Sequence, residues 1–258
     1  MHTPVHQSIL DLFYAKTGIY FDEKKDIVSN KINNFAKKSG FSDLETFLSA
    51  LKSTGSVWQE FVNMLTVNET YFFRENKQIE LMKSILQNRT GCVNILSAPC
   101  SSGEEMFTVL MMLDESGLLS KVKKITGIDV NSDVIKKASN GIYPKGSFHR
   151  TAPETVERYF DKAGDEHYKI KDDLRRITDF SVMNIFDSAF SSLGEFDFVF
   201  SRNMLIYFDK ESRKKAEEKL YNAVKPGGVL FLGHADIVQN SFGLKKHVVG
   251  GIVYYEKC

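Results

Sequence analysis

Residues 93–109 read VNILSAPCSSGEEMFTV, and the period of their apolar positions changes halfway along. The run Val93–Ala98 is short and lies between Gly91 and Pro99, so its length and its breakers favour a buried parallel strand over a helix. Met106, Val109, Leu110 and Leu113 then recur at helical spacing. Between strand and helix, Ser101, Ser102 and Gly103 let backbone pass close to a ligand. The loop feeds a helix N-terminus whose first N–H groups have no intrahelical partner, and these face whatever the loop cradles. Glu104 and Glu105 then constrain that ligand: two carboxylates repel a pyrophosphate but not an ammonium, a sulfonium or a ribose hydroxyl. The loop also lacks the G-x-G-x-x-G of nicotinamide dinucleotide sites, which counts against a dehydrogenase. Ordinary βα units share this strand, loop and helix, so the rest of the chain must decide the function.

At 258 residues, with 42% of them apolar, the chain can fill one large α/β domain or two smaller ones. Basic and acidic residues nearly cancel to a formal charge of +1, so no global field recruits nucleic acid or an anionic membrane. Cys92, Cys100 and Cys258 are odd in number and lack paired metal-ligand spacing, which predicts reduced thiols, a cytoplasmic setting and no metal site. No apolar run approaches membrane-spanning length, and the opening MHTPVHQSIL has no basic-then-apolar signal pattern.

From Ile9 to about Asn88 the pattern is helical throughout. Asp22–Lys38 opens on acids and closes on Lys37 and Lys38, as the helix dipole favours, and Lys24, Lys25 and Lys31 add a basic stripe. On residue type alone that stripe is an ordinary solvated face. Ser42 with Glu45 predicts a capping box for the next helix, and Gly55 its end. The stretch Trp58–Glu75 gathers aromatics around Asn68, Thr70 and Arg74, which is either a helical core with Arg74 snorkelling to water or a cleft in which Arg74 meets a carboxylate.

Val122–Val130 predicts a second strand ending in Asp129, the position that holds ribose hydroxyls in doubly wound sheets, followed by a helix capped by Ser132. Between Gly141 and Arg176 the pattern breaks up, which predicts an insertion with a short helix (Ala152–Phe160) and a hairpin near His167–Arg176. Strands resume at Ile177–Val182 and Phe196–Ser201, each followed by polar groups. A helix at 210–224, a turn at Lys225–Gly228 and a strand from Val229 come next. The last two strands meet at Gly250-Gly251, a two-residue hairpin signal.

Taken in order, LTVNETYFFRE, SAPCSSGEE, GIDV, NGIY, VMNIF, SRNMLIYFD and KPGGVLFLGHAD resemble the chemotaxis receptor methyltransferases of the CheR family over essentially the whole chain. The resemblance implies a Rossmann-like α/β methyltransferase domain with a small antiparallel β-subdomain, preceded by an all-α domain. In this chain those would be residues 76–258, with a linker helix at about 76–90 and the β-subdomain at about 141–176, and residues 1–75. It implies S-adenosylmethionine as cofactor, S-adenosylhomocysteine as product, and a monomeric enzyme that methylates receptor glutamates. Carried over by motif, cofactor contacts fall on Asn68, Thr70, Arg74, Asp129, Asn184, Ile185, Asn203 and Met204, with one of Glu104 and Glu105. Arg74 and Tyr207 fall beside the transferred methyl, and the Lys24, Lys25, Lys31 stripe is the candidate receptor surface.

Two departures stand out. Met106 and Phe107 follow GEE where relatives often carry proline and tyrosine, and GHAD stands where many have GHSE. The segment from Phe160 to Asn184 is also a few residues shorter than in members that dock a receptor's C-terminal pentapeptide, which points to action without that tether. The same cofactor motifs would serve a methyltransferase of RNA or of another protein, or a module that only senses the cofactor. Near-zero net charge counts against RNA, and retention of Arg74 and Tyr207 against the sensor.

Overall fold

The computed structural model describes residues 2–21 and 25–258. Its first part is helical: α1 (Pro4–Thr17), α2 (Lys25–Lys38), α3 (Leu44–Ser53) and α4 (Gly55–Leu65). The rings of Phe13, Phe47 and Phe61 lock α1, α3 and α4 together edge to face, with centroids 5.3–5.7 Å apart. Of the aromatics in Trp58–Glu75, Trp58 and Phe61 belong to this core, which ends at Leu65, while Phe72 and Phe73 pack into the core of the sheet and Arg74 lies beyond the helices. The start of the second helix expected at Asp22 falls outside the described residues. The expected cap and stop of the third are corrected. Asp43, not Ser42, caps α3 by accepting the Thr46 N–H at 2.7 Å, while Ser42 donates its hydroxyl to Asp43. Gly55 opens α4 and does not close α3, because Thr54 serves both helices as their boundary.

The helical pattern expected through Asn88 is interrupted at 66–76, a non-helical segment ending in turns with Phe73 and Glu75 at left-handed φ of 62° and 51°. It leads to α5 (Lys77–Gln87), β1 (Val93–Ser97), α6 (Glu104–Glu115), β2 (Val122–Asp129) and α7 (Ser132–Asn140). Next come β3 (Ile142–Pro144), α8 (Pro153–Tyr159), β4 (Phe160–Lys162), β5 (His167–Ile170) and α9 (Asp172–Arg175). The chain closes with β6 (Thr178–Val182), β7 (Phe196–Ser201), α10 (Lys210–Ala223), β8 (Val224–Leu232), β9 (Leu244–Val249) and β10 (Ile252–Lys257).

Seven strands form one sheet in the order β6-β2-β1-β7-β8-β10-β9, parallel from β6 to β8. Its central strands are apolar on both faces, as a sheet covered by helices on both sides requires. β10 runs antiparallel to both neighbours, and Gly250 and Gly251, both at positive φ, make the tight turn that lets it insert between β8 and β9. The expected turn at Lys225–Gly228 lies inside β8, where it is absorbed as a bulge: the register against β7 jumps from Val224 to Val229.

The insertion is a three-stranded antiparallel sheet, β3-β5-β4, in place of a simple hairpin, and residues 172–175 are helical. It is fastened to the main core by Phe72, whose ring stacks on Phe148 at 4.9 Å and meets Tyr143 edge-on at 4.9 Å. Because β1 lies between β2 and β7, successive crossovers depart in opposite directions there. That switch point opens a crevice at the carboxyl ends of the strands.

Candidate active site

A cavity of about 290 Å3 fills that crevice. Its floor is the loop after β1. Ser101 adopts a left-handed φ of 48°, which aims its N–H at Asp129 Oδ2, 3.0 Å away. Gly103, at φ 88°, starts α6 where any Cβ would sit 3.1 Å from both Ala138 and the Phe180 ring. This is why the loop needs glycine there. Asp129 also accepts the Asn131 N–H at 2.9 Å, and only 4% of it is exposed. Burial pushes its carboxyl up to about 6, against the pull of those backbone donors. Asn131, not Ser132, caps α7, accepting the N–H groups of Asp133 and Val134.

The two acids at the start of α6 part company. Consecutive helical residues point about 100° apart. Glu105 lines the cavity, accepting the Ser97 hydroxyl at 2.7 Å on one oxygen and facing Arg202 Nε at 2.7 Å with the other. That contact is an ion pair and not a well-aligned hydrogen bond. Glu104 turns beneath the loop to Ser102 (2.7 Å) and Lys137 (3.7 Å), is fully buried, and has its carboxyl raised by desolvation. It is not among the lining residues, so Glu104 is corrected from a candidate contact to a support of the loop.

Asn68, Thr70, Arg74, Asn184, Ile185, Asn203, Met204 and Tyr207 line the same cavity as Glu105 and Asp129. The Asn184 side chain accepts the Phe186 N–H and donates to the Lys16 carbonyl, each at 3.0 Å, and so ties the helical part to the crevice. Asn203 is left-handed at φ 58°, packed so closely on Gly233 that a Cβ there would lie 2.6 Å from its nitrogen. Asp236 receives the N–H groups of Met204 (3.3 Å) and Ile206 (3.1 Å) and thereby shapes the turn that carries Tyr207. Burial raises the Tyr207 phenol, and the charge of Arg74 opposes that rise. Arg74 donates to the Glu69 carbonyl, and its own carbonyl accepts from Arg202 at 2.9 Å. Lys31 is exposed on α2 and Lys25 half-buried at its start, neither lining the cavity, and Lys24 lies outside the described residues.

Three features escaped the sequence reading. Arg202 is a buried cation at the end of a buried strand, a placement rare enough to have signalled a role. Asp236 was read only as a family departure. Thr17, Ile19 and Phe21 bring the helical part into the cavity wall, and nothing in their types announces it.

The sheet order, with an acid ending β2 and a cavity at the switch point, is that of a class I methyltransferase. Residues 68–251 match the family described as "CheR methyltransferase, SAM binding domain", and residues 6–66 match "CheR methyltransferase, all-alpha domain". A chemotaxis protein methyltransferase of Campylobacter jejuni (strain 81-176) is 36% identical over 241 residues, 93% of this chain and 91% of that protein. Chemotaxis protein methyltransferase 2 of Vibrio cholerae is 37% identical over 239 residues, 88% and 83% of the two chains. The chemotaxis protein methyltransferase of Escherichia coli K12 is 32% identical over 235 residues, 88% and 82%. The chain belongs to the CheR methyltransferase family.

Proposed function

We propose that the protein converts glutamate side chains of methyl-accepting chemotaxis receptors to methyl esters, with S-adenosylmethionine as donor, S-adenosylhomocysteine as product and no metal. One observation carries the reading: Arg74 and Tyr207 line the same cavity as Asp129, Glu105 and Asn184, so an acceptor group and a nucleoside cofactor can be held together. The wall fits the cofactor. Asp129 offers acceptors to ribose hydroxyls, Ile128, Met183 and Ile185 offer an apolar surface, and Arg202 Nη1 is a buried donor with no partner among the described residues. When bound, S-adenosylmethionine supplies an electrophilic methyl on a positively charged sulfur.

A glutamate carboxylate, with a reference pKa of roughly 4.3, is already ionised at neutral pH, so the protein needs no general base. Its task is alignment and exclusion of water. Arg74 presents a planar fork of donors that holds the acceptor carboxylate in one orientation. Tyr207, a phenol already protonated at neutral pH and pushed further up by burial, donates a hydrogen bond to the same group. Incubation with labelled cofactor and receptor membranes should yield base-labile methyl on the receptor. Label that resists base, or none at all, would sink the proposal.

Cofactor binding should depend on pH through Asp129. Its carboxyl titrates at about 6 in the folded protein, and only the ionised form accepts from two hydroxyls. As pH falls through 6 the acceptor is lost, so S-adenosylhomocysteine affinity, measured by calorimetry, should be flat above about pH 7 and weaken progressively below about pH 6. Asp129→Asn should bind more weakly and lose that pH dependence. A parent protein with constant affinity down to about pH 5 would remove Asp129 from the ligand shell.

We assign receptor docking to the helical domain, residues 1–75, and the chemistry to residues 76–258 together with Asn68, Thr70 and Arg74 from the end of that first domain. Lys24, Lys25 and Lys31 provide the attraction for the acidic receptor, which physiological salt partly screens. Replacing all three by glutamate should slow receptor methylation severalfold through association while leaving cofactor affinity unchanged. A receptor-tail pentapeptide should show no binding in calorimetry. Tight binding of it would move substrate capture to the β-subdomain.

A further inference from the structure

The tail of α1 crosses to the side of the cavity where Tyr207 stands. α1 ends at Gly18, left-handed at φ 73°, where a Cβ would lie 2.2 Å from the Phe186 ring. Thr17 fixes the exit by donating its hydroxyl to the Phe13 carbonyl at 2.7 Å and accepting the Ile19 N–H at 3.2 Å. Ile19 then forms an isolated antiparallel bridge with Phe208, and the Tyr20 N–H donates to the Tyr207 carbonyl at 2.9 Å. Two side-chain bonds flank this strap. Asn184 donates to the Lys16 carbonyl at 3.0 Å, and the Tyr14 hydroxyl donates to Asp209 at 2.8 Å.

We infer that residues 17–21 are a positioning element of the methyl-transfer site, holding the main chain of Tyr207 in place from the helical domain. The inference rests on the assignment of Tyr207 under the proposed function. The turn that carries this tyrosine, Leu205–Tyr207, is a single short 3-10 turn and cannot hold itself rigid. Asp236 pins its beginning through the N–H groups of Met204 and Ile206. The Tyr20 N–H pins its end. Arg213 also holds the Leu205 carbonyl, Nη2 donating at 2.9 Å, so loss of the Tyr20 pin frees the end of the turn at Tyr207 and leaves its start fixed. Displacements of about 1 Å at a reacting group can cost up to about a hundredfold in rate. The helical domain therefore contributes to catalysis as well as to any docking it performs.

Tyr20→Pro tests this directly, because proline lacks the donating N–H, while the bridged Ile19 already has the extended backbone that a residue before proline prefers. We expect receptor methylation to fall about tenfold, with S-adenosylhomocysteine affinity within about threefold of the parent. Hydrogen exchange across residues 203–209 should speed up with and without that ligand, a readout independent of any substrate. Tyr20→Ala keeps the N–H and should cost less than the proline variant. Parent turnover and parent exchange in Tyr20→Pro, or an equal loss in Tyr20→Ala, would overturn the inference. Should Tyr20→Pro not fold, Tyr14→Phe removes the outer tether, together with the acceptor of the Ser212 hydroxyl, and leaves the Tyr20 N–H in place: a severalfold loss of turnover at unchanged ligand affinity supports the strap, and parent turnover overturns it. A parent protein inactive on receptor membranes would instead sink the proposed function, while the exchange result would still decide whether the strap holds the turn.

Discussion

Arg74→Ala is expected to lower receptor methylation by about a hundredfold or more while the protein stays folded, the size of effect that loss of a positioning group produces. The side chain lies half-buried at the cavity wall, where among the described residues it donates to the Glu69 carbonyl and lies over the Tyr71 ring at 5.8 Å, so the fold depends little on it. The main-chain tie that does matter runs from Arg202 to the Arg74 carbonyl and survives the substitution. The charge and the fork are what disappear. Arg74→Lys restores the charge without the planar pair of donors and should recover only part of the rate. Tyr207→Phe removes one hydrogen bond from a neutral donor and should cost less, about tenfold, as a bond of about 1.5 kcal/mol would. Initial rates on receptor membranes, with S-adenosylhomocysteine affinity and the thermal midpoint measured on the same samples, check all three. If Arg74→Ala and Tyr207→Phe methylate at the parent rate, neither residue serves the transfer.

What could be read from the chain followed the physics of burial. β1, β7 and the inner half of β2 from Ile125 announced themselves because a strand covered on both faces is mostly apolar, and the final hairpin did so because two adjacent glycines leave few alternatives to a tight turn. The β-subdomain was legible only as an interruption, since its strands are three or four residues long and its own Phe148 is anchored by Phe72, which lies far back in the sequence. Caps were misplaced by one residue at α3 and α7 for a local reason: Ser42-Asp43 and Asn131-Ser132 each offer two good capping side chains in a row, and only the chain's entry angle selects between them. The cavity's near wall came from motifs. Its far wall did not, because Thr17, Ile19 and Phe21 reach it through a bridge to Phe208, and single bridges leave no periodic trace. Glu104 and Glu105 could not be told apart in the sequence, where they are neighbours of one type. The helix rotation separates them, sending one into the cavity and one beneath the loop.

That separation yields a large stability difference between adjacent glutamates. Glu105 faces Arg202 at 2.7 Å with both side chains nearly buried, 10% and 5% exposed. Removing one partner of such a pair leaves an uncompensated charge in a dry site, which costs about 3–5 kcal/mol. Set against a total stability on the order of 5–15 kcal/mol, Glu105→Ala should lose a large fraction of the folding free energy and, with it, cofactor binding. Glu104 is the opposite case. Its nearest cation, Lys137, is 3.7 Å away, and desolvation raises its carboxyl. A raised acid pKa means that the folded state prefers the protonated form, so at pH values above it the ionised carboxylate weakens the fold. Glu104→Gln keeps the partner for Ser102 without that charge and should be neutral or mildly stabilising at neutral pH. The double change Glu105→Leu with Arg202→Met removes both charges together and should cost less than Glu105→Ala alone, since no unpaired ion is left behind. Denaturant midpoints at neutral pH measure the series. Equal, small losses in Glu105→Ala and Glu104→Gln would show that Arg202 finds solvent or another partner when Glu105 is gone, and the ion pair would then be dispensable to both the fold and the cavity wall.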